Sequence, residues 1–474
     1  MQHNDPVSKR SVTLTTVLGV LLSMPVSAQD NPEPVPSGTA LPGQTTLSWG
    51  SPVLPKPYQE GVRVVGHEPL GGRITNQQLV WIDHCAYVSS APMLSERGVG
   101  MHEVAKETDG VAIIDVSDPS SPRQVGLLRD RGAIWTVETI DAVDAPDRKV
   151  LAVGDYAAGN PSFNPDDPPY LNIYDVSDCT EPKLMAEYVW PENVHTLTLS
   201  ADGKRIYAPS NTQPPMGTGG LHVLDISDLK NPRYVGRFQV TGRDGREWDF
   251  AAHEVWVSPD EKRIYAGVVA SLGGDLNGGK YGDEADVAGA EGGGIYILDN
   301  SDLAEGRPNP KLRLISTAQR AGWHNVMPAT FDGVPHLVAA AEAGRCPGSF
   351  PRITRISDET HPRLVGEFRL EGNKLKNCQP GAERDRVANT HFTDVDDIHD
   401  TRLGLFNFEA GGLRIADLRD PRDPVEIAYF RPGDACTGHV RYFRETDTMW
   451  LTCQSSGFWV LQLAPEVRSE FDSR

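Results

Sequence analysis

One phrase recurs along this chain and limits what it can fold into. It reads GVAIIDVSDPSSPRQVG from Gly110, LNIYDVSDCTEPKLMAEY from Leu171, LHVLDISDLKNPRYVGRF from Leu221 and GIYILDNSDLAEGRPNPKLRLI from Gly294. Weaker copies begin at Ile353, Leu413 and Phe458, the last truncated. Each copy is an alternating apolar strand, a turn rich in Asp, Ser and Pro, and a second strand, which is hairpin chemistry. Two more strand-like segments lie between copies, such as HTLTLS with RIYAPS and HEVWVS with RIYAGV. Four strands per unit, repeating every 45 to 75 residues or so, is the period of a β-propeller blade. The high content of turn formers, 46 Gly and 37 Pro in 474 residues, agrees with it.

The expectation is therefore an all-β chain with a single seven-bladed propeller over residues 46–465, or six blades if the first copy pairs differently. Innermost strands A are expected to begin near Gly72, Ala133, His195, His253, His324, His391 and His439. The last blade lacks its outer strand. Residues 46–66 are expected to supply that strand and close the ring, which removes the exposed sheet edge. Residues 466–474 read as a tail.

The IIDVSDP and LDISDLKNPRYVG phrases resemble the LVIVD-repeat family of exported bacterial propellers, from about Gly61 to Leu463. The resemblance implies the architecture and no particular activity, since propellers host many unrelated ones. Blade 5 departs from the phrase with Arg355 where other copies carry the first Asp, and blade 7 departs with Gln462. That turn faces outward, so the departures leave the fold intact.

Lys9 and Arg10 precede the apolar run VTLTTVLGVLLSM, and Val26-Ser27-Ala28 offers a cleavage site. Residues 1–28 thus read as a secretory signal peptide, followed by a disordered Pro-rich leader over 29–45. No segment has the run of about 18 apolar residues that a membrane helix needs. The expected location is the periplasm or the extracellular space. With 65 acidic residues against 45 Lys and Arg, a net charge of -20 argues against nucleic acid or an anionic membrane surface as partner. In an oxidising compartment, six cysteines suggest three disulfides. Blade placement pairs Cys346 with Cys378, Cys436 with Cys453 and Cys85 with Cys179.

The chemistry is expected in histidines. His195, His253, His324, His391 and His439 fall at one equivalent position, the start of strand A in five consecutive blades. Strand A lines the central channel, so these side chains can converge on the axis. Neutral imidazoles on separate rigid strands suit iron or copper, and less so zinc, with open positions for oxygen or substrate. Blades 1 and 2 offer Ile74, Thr75 and Trp135 there instead. The competing reading is structural, each histidine hydrogen-bonding within its own blade.

Glu342 and Glu409 each lie 18 residues after a channel histidine and are candidates to orient the ligand rings, or else form a repeat turn. Glu192, Glu247 and Asp249 are weaker carboxylate candidates, and a hydrolase built on paired carboxylates is a third reading. Long connections between strands B and C in blades 1 to 4 emerge on the histidine face, where binding loops usually sit. No P-loop, Rossmann fingerprint, HExxH, GxSxG or EF-hand loop is present. The expectation is an exported propeller that holds a transition metal and acts on a small organic substrate by oxidative or lyase chemistry. Its alternative is a non-catalytic propeller that binds a protein or glycan through its long-loop face.

Overall fold

The computed structural model describes residues 58–91, 107–156, 168–190, 194–210, 219–271, 293–319, 323–340, 349–373 and 389–473. All of them belong to one compact unit, residues 36–474. The proposed signal peptide and leader, Glu192, Glu342, Cys346 and Cys378 lie outside the described residues.

Seven sheets, each built on four antiparallel strands, form seven blades, and each outer hairpin follows from the repeated phrase. The first Asp of the phrase ends strand C, and its carboxylate accepts the N–H two residues on. This occurs at Asp115 and Ser117 (2.9 Å), Asp175 and Ser177 (2.9 Å), and Asp225 and Ser227 (2.9 Å). Such a side-chain turn reverses the chain without a helix. The glycine of the recurrent Val-Gly has a packing reason. A Cβ at Gly66 or Gly366 would collide with the backbone carbonyl of Pro119 or Pro421, which belongs to the turn of the next blade.

Blade 1 uses Asn76–Ile82, Cys85–Ser90, Val111–Asp115 and Arg123–Leu128 as strands A to D. Blade 4 carries an added hairpin, Val240–Thr241 with Glu247–Trp248, on its outer strand Leu312–Ala318. Blade 7 takes its outer strand from the start of the propeller: Val62–Glu68 pairs antiparallel with Gly457–Leu463, from Val62 opposite Leu463 to Glu68 opposite Phe458. The ring is thus closed by an N-terminal strand, and Tyr58–Glu60 adds to the outer strand of blade 6.

The core consists of seven hydrophobic clusters, one between each pair of neighbouring blades. Burial between sheets therefore fixes every strand A at the axis, which makes the channel rigid. The residues read as a tail form a helix, Pro465–Ser473, whose Phe471 is buried against blades 6 and 7. Cys85–Cys179 and Cys436–Cys453 are disulfides, as expected. The first ties blade 1 to the outer turn of blade 2.

Candidate metal centre

Four of the five histidines meet at the axis. The backbone sets their common level: His324 N–H donates to the Ala340 carbonyl (2.9 Å) and His391 N–H to that of Asn407 (2.7 Å), the same register in blades 5 and 6. In blades 3 and 4 the level is held from the preceding blade. Thr139 Oγ1 donates to the His195 carbonyl (2.7 Å), and Thr196 Oγ1 donates to the His253 carbonyl (2.5 Å). Ring centroids then follow one another at 4.2 Å for His195–His253, 3.5 Å for His253–His324 and 4.4 Å for His324–His391.

The residue they surround is Glu138. Its Oε2 lies 3.2 Å from His195 Nε2, 3.3 Å from His253 Nε2 and 3.8 Å from His324 Nε2, and its Oε1 lies 3.3 Å from His391 Nε2. Glu138 precedes Thr139 as His195 precedes Thr196, and the two threonines make the same bond to the next blade. Glu138 is therefore blade 2's counterpart of the histidines. Trp135, expected at that position, stands three residues too early, and strand A of blade 2 begins at Ile140 rather than near Ala133. The sequence signal was the shared frame Val-Glu-Thr at 137–139 and Val-His-Thr at 194–196.

The polar atoms of this cluster are short of partners. Glu138, His253 and His324 are buried, and His324 hydrogen-bonds through neither ring nitrogen. Glu138 Oε2 also lacks a hydrogen bond. His195 Nε2 and His253 Nε2 face each other at 2.6 Å. Buried polar atoms left this way are costly, and each one calls for an explanation. A cation among them would supply one, because metal–nitrogen bonds of about 2.1 Å place neighbouring donors about 3 Å apart. Burial pushes the His253 and His324 imidazoles well below their ordinary value, so both present neutral, metal-ready nitrogens. Burial works in the opposite sense on Glu138, but His391 and His195 outweigh it and hold the carboxyl well below its usual range. A second set, His84 with Cys85 and Cys179, has its sulfurs committed to the disulfide.

Outer contacts orient one of the histidines and the carboxylate. His391 Nδ1–H donates to the Thr437 carbonyl at 2.5 Å, which leaves the Nε2 lone pair facing Glu138. Gln77 Nε2 donates to Glu138 Oε1 at 2.9 Å. Glu409, expected as an orienting carboxylate, lies buried in the turn after strand B of blade 6, where its backbone carbonyl accepts from Cys436 N–H.

His439 departs from the expected set. Its Nδ1 lies 2.8 Å from Asp394 Oδ1 and its Nε2 3.1 Å from Glu254 Oε1, so both nitrogens are committed to carboxylates and no lone pair is left for a metal. Burial alone pushes this imidazole down, but Asp394 and Glu254 outweigh it and hold it well above 6.5. Nearby, desolvation pushes the Asp141 carboxyl up to about 7. Because the folded value of His439 is raised, its stabilising contribution is complete below pH 6.5 and is lost only as pH rises past 6.5 and through the raised folded value. Nitrogen NMR should show a doubly protonated His439 ring at pH 7.5; a neutral ring there contradicts this arrangement.

The remaining carboxylate candidates serve the surface. Glu247 pairs with Lys311, and Asp249 pairs with Arg237 and accepts from Gln239 at 3.0 Å.

A family model described as the LVIVD repeat matches residues 104–129 and 216–240. No curated protein matches the chain. Among solved structures, the periplasmic gluconolactonase PpgL of Pseudomonas aeruginosa aligns with a TM-score of 0.52 at 12% identity, over 77% of this chain and 91% of that one. The β-propeller domain of Cps50 (Swd1) from Myceliophteria thermophila aligns with a TM-score of 0.52 at 9% identity, over 85% and 99%. Similarity at that identity speaks for the fold alone. No helix among the described residues is long and apolar enough to cross a membrane. The chain is a seven-bladed propeller that carries LVIVD repeats, consistent with the LVIVD-repeat propeller family.

Proposed function

We propose that His195, His253, His324, His391 and Glu138 hold one transition-metal ion, and that the exported protein uses it for oxidative or lyase chemistry on a small organic substrate. The observation that carries this reading is His324, buried in the channel with neither ring nitrogen hydrogen-bonded and its Nε2 turned to Glu138. A structural histidine spends its nitrogens within its own blade. These four instead direct Nε2 across blade boundaries to one carboxylate.

Imidazole suits iron and copper alike, and a carboxylate beside it tips the choice toward iron. Zinc, usually four-coordinate, fits five donors least. Five protein donors leave an octahedral ion one open position. When bound there, the metal supplies redox or Lewis-acid chemistry. The chain's own contribution is to fix donor geometry and exclude water, since the donors are at most 10% exposed.

Anaerobic loading with Fe(II) followed by nitric oxide tests the open position. The expected result is the EPR signal of a high-spin iron–nitrosyl, absent in a His324→Ala variant. Iron that binds but ignores nitric oxide has a closed shell, and the non-catalytic reading, with a protein or glycan partner, then takes over.

A further inference from the structure

We infer that Thr437 is the positioning residue of this centre, a clamp through which blade 7 sets one histidine and the carboxylate together. This rests on the metal reading above and says how the site is held. Blade 7 supplies no donor, yet Thr437 is buried against the centre and works through its carbonyl and its hydroxyl. Its carbonyl accepts from His391 Nδ1–H at 2.5 Å. Its hydroxyl donates to Gln77 Oε1 at 3.2 Å, and the amide of Gln77, itself 1% exposed, donates to Glu138 Oε1 at 2.9 Å.

The direction of this relay is forced. An ionised carboxylate only accepts, so Gln77 must present its NH₂ to Glu138 and its oxygen elsewhere. The Thr437 hydroxyl fixes that choice. Glu138 Oε1 is thereby occupied, and Oε2, which has no hydrogen bond, is the atom left facing His195, His253 and His324.

The segment that bears Thr437 is anchored on both sides. Cys436 is bound to Cys453 at the end of strand B, and its N–H donates to the Glu409 carbonyl at 3.1 Å. On the other side the Gly438 carbonyl accepts from Asn407 Nδ2 at 2.6 Å. A Cβ at Gly438 would stand 2.8 Å from the Gln77 carbonyl, so only glycine lets the segment approach this closely. Neighbours that orient metal ligands typically contribute about 10- to 100-fold in metal affinity.

The test uses the mature protein and Co(II) alone as probe, read by its visible d–d spectrum. Thr437→Val keeps the carbonyl and shape but removes the hydroxyl. It should weaken Co(II) binding by about 10-fold or more and alter the d–d bands, while the metal-free protein still unfolds cooperatively, its urea midpoint lowered only as one lost buried hydrogen bond requires. Thr437→Ser should restore both affinity and spectrum. Gln77→Leu should match Thr437→Val, and the double variant should lose little more, because both changes cut one relay. Wild-type affinity and spectrum in Thr437→Val, or fully additive losses in the double variant, overturn the clamp. If wild type takes up no Co(II), the metal reading falls and the clamp falls with it. Should Thr437→Val fail to fold, Gln77→Leu alone decides: wild-type affinity there overturns the proposal.

Discussion

Glu138→Gln should bind metal at least about 100-fold more weakly than wild type while folding normally. The upper end of what orienting neighbours contribute is the lower bound for a donor itself. The charge lost is the one carboxylate that balances a cation among the four imidazoles, and the carboxamide nitrogen offers no lone pair in its place. The fold should tolerate the change because the new amide oxygen still accepts from Gln77 Nε2. Isothermal titration with Co(II), beside denaturant unfolding of the metal-free variant, separates the two effects. Unchanged affinity removes Glu138 from the donor set.

The propeller was legible because it is written locally and repeatedly. Each Asp-x-Ser turn, each Val-Gly approach and each alternating strand can be read within twenty residues. The closing strand was legible by subtraction, since the truncated last copy needed a partner and Val62–Glu68 provides it.

The centre was legible only where neighbouring blades carry the same residue type. His195, His253, His324 and His391 announce themselves by repetition. Glu138 does not, since a glutamate in a histidine's place looks like a gap until Val-Glu-Thr is laid on Val-His-Thr. His439 misleads for the opposite reason. It has the right residue type near the right place, but its partners Asp394 and Glu254 lie 45 and 185 residues away, and local pattern carries no trace of them. The Thr437–Gln77–Glu138 relay likewise joins residues from three blades. Its members are ordinary polar residues until the ring closes.

The larger expected effect belongs to the pair His324→Ala/His391→Ala. It removes two donors from adjacent blades, and with them the rings on either side of the 4.4 Å contact. The remaining His195, His253 and Glu138 form an incomplete, water-filled set. Metal should be lost outright, not merely held more weakly. Truncating two buried side chains also costs stability, so the variant must be shown folded by circular dichroism before it is compared.

The most direct measurement is elemental analysis of the purified protein, grown metal-replete, beside this double variant. One equivalent of a transition metal, iron ahead of copper, is expected in wild type and essentially none in the folded variant. A wild type with substoichiometric metal under replete conditions, or a variant that retains the wild-type content, would contradict it.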